Sequence, residues 1–336
     1  MQRYYQSNFE QKIKQKMKAI ILKAIGGPEN LELAEIAVPP IKDDEVLVMV
    51  KAISINPVDA FARRNQESLN YVLQLKGDEK HIILGWDIAG IVTEAGPAVT
   101  RFKAGDEVFG MVKFVGQANG YAEYVAAPET DLVLKPANVS FGEAAGVGIA
   151  AMTAWQSIVT GGKIRKGDKV VITGASGGVG HYAVQFAKHF GAYVIAVASA
   201  ENRDFVLGLG ADEFIDYQTQ AFEELVTDAD MVHDAVWSDD MRHIERSLKA
   251  IKPGGTLLSL IVDFDDEMLE QLKSKNVTGY RVFVHKSQED LAAIAALLAS
   301  GDIKTHVSQT FPLEEMAKAH SRIETKNAVG KIIVTV

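Results

Sequence analysis

The chain contains no cysteine. That excludes disulfides, thiolate nucleophiles, iron–sulfur clusters and every cysteine-ligated zinc site, and leaves His, Asp and Glu as the strong metal ligands. The eight histidines show no HxxxH or HExxH pairing, so no metal site is expected. Long apolar runs are missing as well: the longest, LAAIAALLA at 291 to 299, falls far short of the ~20 residues that cross a bilayer. The stretch MQRYYQSNFEQKIKQKMKAIILKA holds no apolar run long enough for a signal peptide, so the expectation is a cytoplasmic protein with no membrane partner. Basic charge is in short supply. With 35 Lys and Arg against 44 Asp and Glu, the net charge is −9, which argues against a general binder of phosphate backbones, and no nucleic-acid partner is expected.

What is present suits a folded protein of two domains. The 336 residues are 47% apolar and 24% charged, about twice the ~150 residues of a typical single domain. Residues 1 to 16 hold Arg3, Lys12, Lys14 and Lys16 against Glu10 and read as a solvated extension. From Met17, MKAIILKA, LELAEI and EVLVMVKAISI read as short β-branched strands separated by Gly-Pro and Pro-Pro, and more follow near GIVTEAG, DEVFGMV and YAEYVAA. The spacing predicts a barrel-like β domain over roughly the first 130 residues. Beyond Lys135-Pro136 the pattern becomes a helical stretch (FGEAAGVGIAAMTAWQSIV), then the apolar strand KVVIT, the helix HYAVQFAKHF, and a second pair, YVIAVAS with NRDFVLGLG. Further strands at EFID, MVHDAV and GTLLSLI make residues 139 to 284 a run of βαβ units, which implies a doubly wound parallel sheet. The last segment, with helices at QEDLAAIAALLASG and PLEEMAKAHSRI and the strand KIIVTV, is expected to return to the first domain.

The most informative stretch is KVVITGASGGVGHYAVQFAK, residues 169 to 188, where a buried strand runs through glycines into a helix, the context a dinucleotide fingerprint requires. In the G-x-G-x-x-G register stand Ala175, Gly177 and Gly180, with Gly174 just before, Ser176 inside and Gly178 and Val179 between the last two glycines. Gly177 lets the backbone approach a diphosphate, Gly180 lets the helix pack on the strand, and the N–H groups of Gly178 and Val179 are the expected donors to the anion. A Walker-type P-loop is excluded because no Gly-Lys-Ser/Thr follows the glycines. An NAD site calls for a carboxylate at the end of the second strand, about 20 residues on. That strand ends Val197-Ala198-Ser199, and Arg203 follows with a guanidinium suited to a phosphate, which favours NADPH. The competing reading has Glu201 reaching the ribose and Arg203 solvated.

The order of these parts resembles the zinc-independent quinone oxidoreductase branch of the medium-chain dehydrogenase/reductase superfamily. The similarity runs from Met17 to Val336 through SINPVDAFAR (54 to 63), LGWDIAGIVTEAG (84 to 96), RFKAGDEVFG (101 to 110), GYAEYV (120 to 125), AAMTAWQSI (150 to 158), GASGGVG and LGADEFIDY (209 to 217). The resemblance implies an α/β fold, a Rossmann doubly wound parallel sheet plus a GroES-like β-barrel domain. It implies a division into an extension (1 to 16), a GroES-like catalytic domain (17 to 138 and 285 to 336) and a Rossmann NADP-binding domain (139 to 284). The zinc dehydrogenases of the superfamily carry a catalytic Cys where this chain has SINPVDAF and Gly-His-Glu where it has Gly85-Trp86-Asp87, so neither ligand position is kept.

By the same resemblance, Thr153 approaches the nicotinamide end and Tyr217 lies beside the adenosine 2′-phosphate with Ser199 and Arg203. A helix hydroxyl bonded to its own backbone is the alternative for Thr153, and a half-buried strand-end aromatic for Tyr217. Asn56 matches a polar family position facing the cleft between the domains, where its amide would donate to the acceptor oxygen; the alternative is a residue chosen for the turn before Pro57. Asp234 is read as a structural residue at a strand end, and Ala235-Val236-Trp237 stands where many relatives have glycines. Oxidising a simple alcohol needs charge stabilisation that zinc normally supplies. A quinone or α,β-unsaturated carbonyl spreads the charge arriving with hydride, so conjugated acceptors are the expected substrates. An enoyl or alkenal reductase and a zinc-free alcohol dehydrogenase-like protein remain alternatives, as does a non-catalytic NADPH-binding sensor. A homodimer joined through TGYRVFVH (278 to 285) is expected by resemblance alone.

Overall fold

The computed structural model describes residues 15–236 and 242–336; all of the expected extension before Gln15, and Trp237, lie outside the described residues. The chain divides into two compact units, Met1–Ile149 with His285–Ala299 and Val307–Val336, and Ala150–Val284 with Ser300–His306.

In the first unit β1 (Lys16–Leu22) pairs antiparallel with β2 (Leu31–Ala37) as a two-stranded sheet. A seven-stranded sheet takes in β3 (Glu45–Ile55), β4 (Asp87–Ala95), β5 (Glu107–Met111), β6 (Tyr124–Pro128) and β7 (Leu132–Leu134). β3 is its spine, antiparallel to β4 and β6, and its run EVLVMVKAISI is buried along almost its whole length because neighbours cover it on both edges and both faces.

The second unit is a parallel sheet of β8 (Lys169–Thr173), β9 (Tyr193–Ala198), β10 (Glu213–Asp216), β11 (Ala229–Asp234), β12 (Ile251–Ser259) and β13 (Thr278–Arg281), in the order β10-β9-β8-β11-β12-β13. Successive crossovers move outward from β8 to β10, then the chain returns to the other side of β8 to form β11. The order therefore reverses between β8 and β11, and the carboxyl ends of these two strands are where such a sheet accepts a ligand. Val171, Ile195, Val232 and Leu257 form the centre of one face, with Phe222, Ile244 and Leu248 packed over it. The chain then re-enters the first unit as β14 (Val307–Pro312) and β15 (Lys331–Thr335), which complete the seven-stranded sheet through the antiparallel pairing of β15 with β3.

Two boundaries differ from expectation. The division falls at 149/150 instead of 138/139, because helix Phe141–Ala145 packs on β3 and β4. Helical periodicity says that a face is covered but not by which sheet. Ser300–His306 goes with the second unit, where the expected return began at 285. Among the described residues no helix is long and apolar enough to cross a membrane.

Phe222 is 1% exposed within the second unit's core. Phe222→Ala is expected to cost about 3–5 kcal/mol, read as a lower midpoint in urea unfolding; a change under about 1 kcal/mol would mean that this core repacks freely.

Candidate functional site

The glycine turn has the geometry the fingerprint demands, shifted by one residue at its start. Gly174, not Ala175, takes the left-handed backbone conformation, with φ +63°, as β8 ends. Ala175 is fully buried, its N–H donating to the Val197 carbonyl at 3.1 Å, which ties the turn to β9. A Cβ on Gly180 would lie 2.1 Å from the Gly174 carbonyl oxygen and 2.8 Å from the Ala175 Cα, so only glycine allows helix Gly180–His189 to begin this close to the strand. A Cβ on Gly177 would touch only the Gly174 carbonyl, at 3.2 Å; the space above it is open. Among the described residues nothing receives the N–H groups of Gly178 and Val179, and Ser176 shares the same half-buried arc. An open glycine flanked by two uncommitted N–H groups at the start of a ten-residue helix fits the diphosphate of a dinucleotide.

The ends of the next two strands stand side by side. Asp216 of β10 pairs with Ala198 of β9, and the Tyr217 N–H donates to the Ala198 carbonyl at 3.3 Å, so Tyr217 and Ser199 emerge at adjacent positions. Tyr217 is 57% exposed, in contrast to the half-buried alternative. Ser199 donates to Glu201 at 3.4 Å and accepts from the Asn202 amide at 2.9 Å. Arg203 is exposed, with a long contact of 3.4 Å to Asp204. Thr153 lies in helix Gly148–Trp155 of the same unit and is 8% exposed. Asp234 is buried at the end of β11 and accepts from His243 Nδ1 (2.7 Å), Ser247 Oγ (2.8 Å), Thr173 Oγ1 (3.2 Å) and the Val236 N–H (3.2 Å). Burial pushes its pKa up, and the bonds from His243 and Ser247 more than offset this, leaving it below the ordinary carboxylate value.

Asn56 belongs to the first unit and sits at the hub of a buried polar cluster. It is the residue before helix Pro57–Ala62, and its N–H donates to Asp59 Oδ2 at 2.7 Å. Its side-chain Oδ1 accepts from Lys331 Nζ at 2.6 Å, while Nδ2 donates to Asp87 Oδ2 at 2.8 Å. An ammonium on one side and a carboxylate on the other leave the amide one orientation. Asp87 Oδ1 accepts from the Ile149 N–H at 2.8 Å, so both carboxylate oxygens are committed. The expectation that the Asn56 amide donates to an acceptor oxygen therefore meets a constraint: the group is 2% exposed, its oxygen is taken, and a single N–H is left over.

Behind it, buried Arg63 donates through Nε to His320 Nδ1 at 3.1 Å, bonds the Gly26 carbonyl and pairs with Glu324 at 2.7 Å. His320 Nε2 must then carry the hydrogen, donated to Tyr121 Oη at 2.9 Å. Sequence reasoning quoted Asp59 and Arg63 inside SINPVDAFAR and Tyr121 inside GYAEYV without seeing that they share one cluster. It missed Lys331 altogether. The signal was a lysine opening the apolar strand KIIVT.

Two carboxylates and one ammonium, all buried, are unbalanced when fully ionised. Burial first, and the Asp87 charge beside it, raise the Asp59 pKa from 3.8 to about 7. Burial also raises Asp87, to about 6, with Lys331 and Asn56 holding it lower than burial alone would. The Tyr121 hydroxyl hydrogen-bonds Asp59 and holds its pKa lower than burial alone would; one proton taken up by Asp59 would make the cluster neutral. Burial drives His320 the other way, to about 3, with the Arg63 charge adding to it.

A parallel sheet with an open glycine turn, joined in one chain to a mostly antiparallel sheet holding a buried polar cluster, defines a nicotinamide-dinucleotide oxidoreductase. Comparisons with known proteins agree. The alcohol dehydrogenase GroES-like domain family matches residues 42–137, and the zinc-binding dehydrogenase family matches residues 209–334. An NADPH-dependent alkenal/one oxidoreductase, chloroplastic, of Arabidopsis thaliana is 34% identical over 332 residues, spanning 96% of this chain and 80% of that protein. The quinone oxidoreductase of Sus scrofa is 31% identical over 331 residues, spanning 95% and 97%. The solved quinone oxidoreductase of Coxiella burnetii superimposes with a TM-score of 0.87 at 31% identity, covering 96% of this chain and all 100% of that one. The chain belongs to the medium-chain dehydrogenase/reductase superfamily, in its zinc-independent quinone oxidoreductase branch.

Asp59→Asn keeps a carbonyl for the Asn56 N–H and removes the charge. The wild-type folded state binds more protons than the unfolded state between the unfolded pKa near 3.8 and the folded value of about 7, so Asp59 contributes less stability as pH rises through that window. Thermal unfolding should therefore show the variant gaining on wild type from about pH 5 to about pH 8; parallel curves would remove Asp59 as the proton-holding group. Separately, Gly180→Val should abolish coenzyme binding measured by calorimetry, since its Cβ meets backbone at 2.1 Å.

Proposed function

We propose that the protein is an NADPH-dependent reductase that passes hydride to a quinone or an α,β-unsaturated carbonyl. The observation that carries the reading is the glycine turn with its two uncommitted N–H groups, beside strand ends that offer Ser199, Tyr217 and Arg203 where an NAD site would offer a carboxylate. Reduced nicotinamide bound there supplies hydride from its C4 atom. The chain's own groups do the rest. Gly178 and Val179 donate to the diphosphate, Arg203 and Ser199 hold the 2′-phosphate with the Tyr217 ring beside it, and Thr153 approaches the nicotinamide end.

The acceptor class follows from the donor set in the first unit. Trp86 and Asp87 stand where zinc relatives have His-Glu; Asp87 accepts from the Asn56 amide through one oxygen and from a backbone N–H through the other, and among the described residues no group of three His, Cys, Asp or Glu side chains could hold a metal ion. A carbonyl whose charge is delocalised over conjugated carbons needs least help from such a site. Asn56 we assign to positioning: it joins Lys331 to Asp87 and keeps helix Pro57–Ala62 in place. The names of the plant alkenal/one oxidoreductase and the pig quinone oxidoreductase support the same two acceptor classes. We include a homodimer in the proposal, formed across β13, which among the described residues ends the parallel sheet beside β12.

Consumption of reduced coenzyme against a panel of quinones and enones tests the activity; binding with no turnover on any acceptor would favour a sensor instead. Arg203→Ala should lower the ratio of kcat/KM with NADPH to that with NADH by about 10-fold or more, the size of one charge-assisted hydrogen bond. An unchanged ratio would remove Arg203 and leave Glu201 as the residue at the ribose.

A further inference from the structure

Helix Gly180–His189 carries three polar side chains that all engage residues 304 to 306 of the same unit. Gln185 mimics a strand partner, accepting the Lys304 N–H at 2.8 Å through Oε1 and donating to the Lys304 carbonyl at 3.0 Å through Nε2. Tyr182 Oη and Thr305 Oγ1 share a hydrogen bond of 2.7 Å. The His306 N–H donates to His181 Nε2 at 3.4 Å. A backbone N–H has no alternative role, so Nε2 must be the acceptor and the neutral ring carries its hydrogen on Nδ1. That hydrogen has a partner: Nδ1 lies 3.0 Å from the Gly177 carbonyl oxygen, which also receives the His181 N–H at 3.1 Å. His181 is fully buried.

The Gly177 carbonyl and the Gly178 N–H belong to one planar peptide and point in opposite directions. Two donors that draw the carbonyl down into the helix therefore aim the N–H outward, and they polarise it, since a peptide that accepts through its oxygen donates more strongly through its nitrogen. Gly177 has no side chain to resist rotation of this peptide, so the restraint has to come from elsewhere. We propose that His181, fixed as the Nδ1–H form by the His306 N–H, is a positioning residue that orients the Gly178 N–H toward the coenzyme diphosphate. The segment around 304 to 306 is the strut that keeps it in that form. The inference rests on the dinucleotide reading of this turn and adds to it a named group that sets the donor's direction.

Asn and Gln imitate the two ring nitrogens separately. In His181→Asn the side-chain N–H stands near the Nδ1 position and still reaches the Gly177 carbonyl; in His181→Gln it stands near the Nε2 position and does not. Titration of the purified full-length protein with NADPH, followed by fluorescence, should give a dissociation constant raised about 10-fold in His181→Gln, one hydrogen bond's worth, and within about 3-fold of wild type in His181→Asn. Equal affinities in the two variants, whether both like wild type or both weakened, would overturn the proposal. A measurement on the wild-type protein needs no variant to fold: long-range proton–nitrogen NMR correlations of 15N-histidine protein should show the His181 ring as the neutral Nδ1–H form, and an Nε2–H form would overturn the proposal too. Wild-type protein that takes up neither NADPH nor NADH would instead sink the coenzyme reading itself, a result distinct from either outcome with the variants.

Discussion

The approach of helix Gly180–His189 to the end of β8 is the contact on which the second unit turns. Its helix begins where a Cβ would be 2.1 Å from the Gly174 carbonyl, so the backbone can reverse from strand to helix in a handful of residues and leave N–H groups facing outward at the sheet's carboxyl edge. Loosening that contact by one methyl would move the helix axis off the strand and carry with it the tie from Ala175 to β9 and the carbonyl that His181 holds. The order of the strands then places the turn at the switch between β8 and β11, the one point of the sheet where neighbouring crossovers diverge and room for a ligand opens.

The first unit solves a different problem, that of keeping charge in its interior. Asp59, Asp87 and Lys331 are all buried, and each buried ion is costly unless it is paired and hydrogen-bonded. Asn56 solves it geometrically by presenting its oxygen to the ammonium and its nitrogen to the carboxylate. Burial raises the Asp59 pKa to about 7, so a proton taken up there would relieve the remainder electrostatically. Strands β3, β4 and β15 converge on this cluster, which gives three segments distant in sequence one shared reason to stay in register.

Much of this was legible along the chain. KVVIT and YVIAVA are apolar runs of strand length, as a strand buried on both faces requires, and each is entered soon after a glycine. The glycine turn announced itself because backbone geometry, which sets what a glycine is for, is local. Even there the left-handed residue proved to be Gly174, since the register of a motif does not say which peptide turns. What stayed hidden involves partners remote in sequence. Lys331 and Asn56 are 275 positions apart, and nothing in KIIVT tells that its lysine points inward to an amide. Nor could helical spacing at 141 to 145 reveal which sheet it covers.

The amino-acid sequence by itself determined the alternation of elements, the two-domain plan, the dinucleotide turn and the family, because each is written in local pattern, in composition or in motifs met in order. Only the tertiary structure decided that Asn56 is enclosed between an ammonium and a carboxylate, that burial raises the pKa of Asp59, and that residues 304 to 306 brace helix Gly180–His189. Those outcomes depend on burial and on which distant groups meet, and neither exists until the chain has folded.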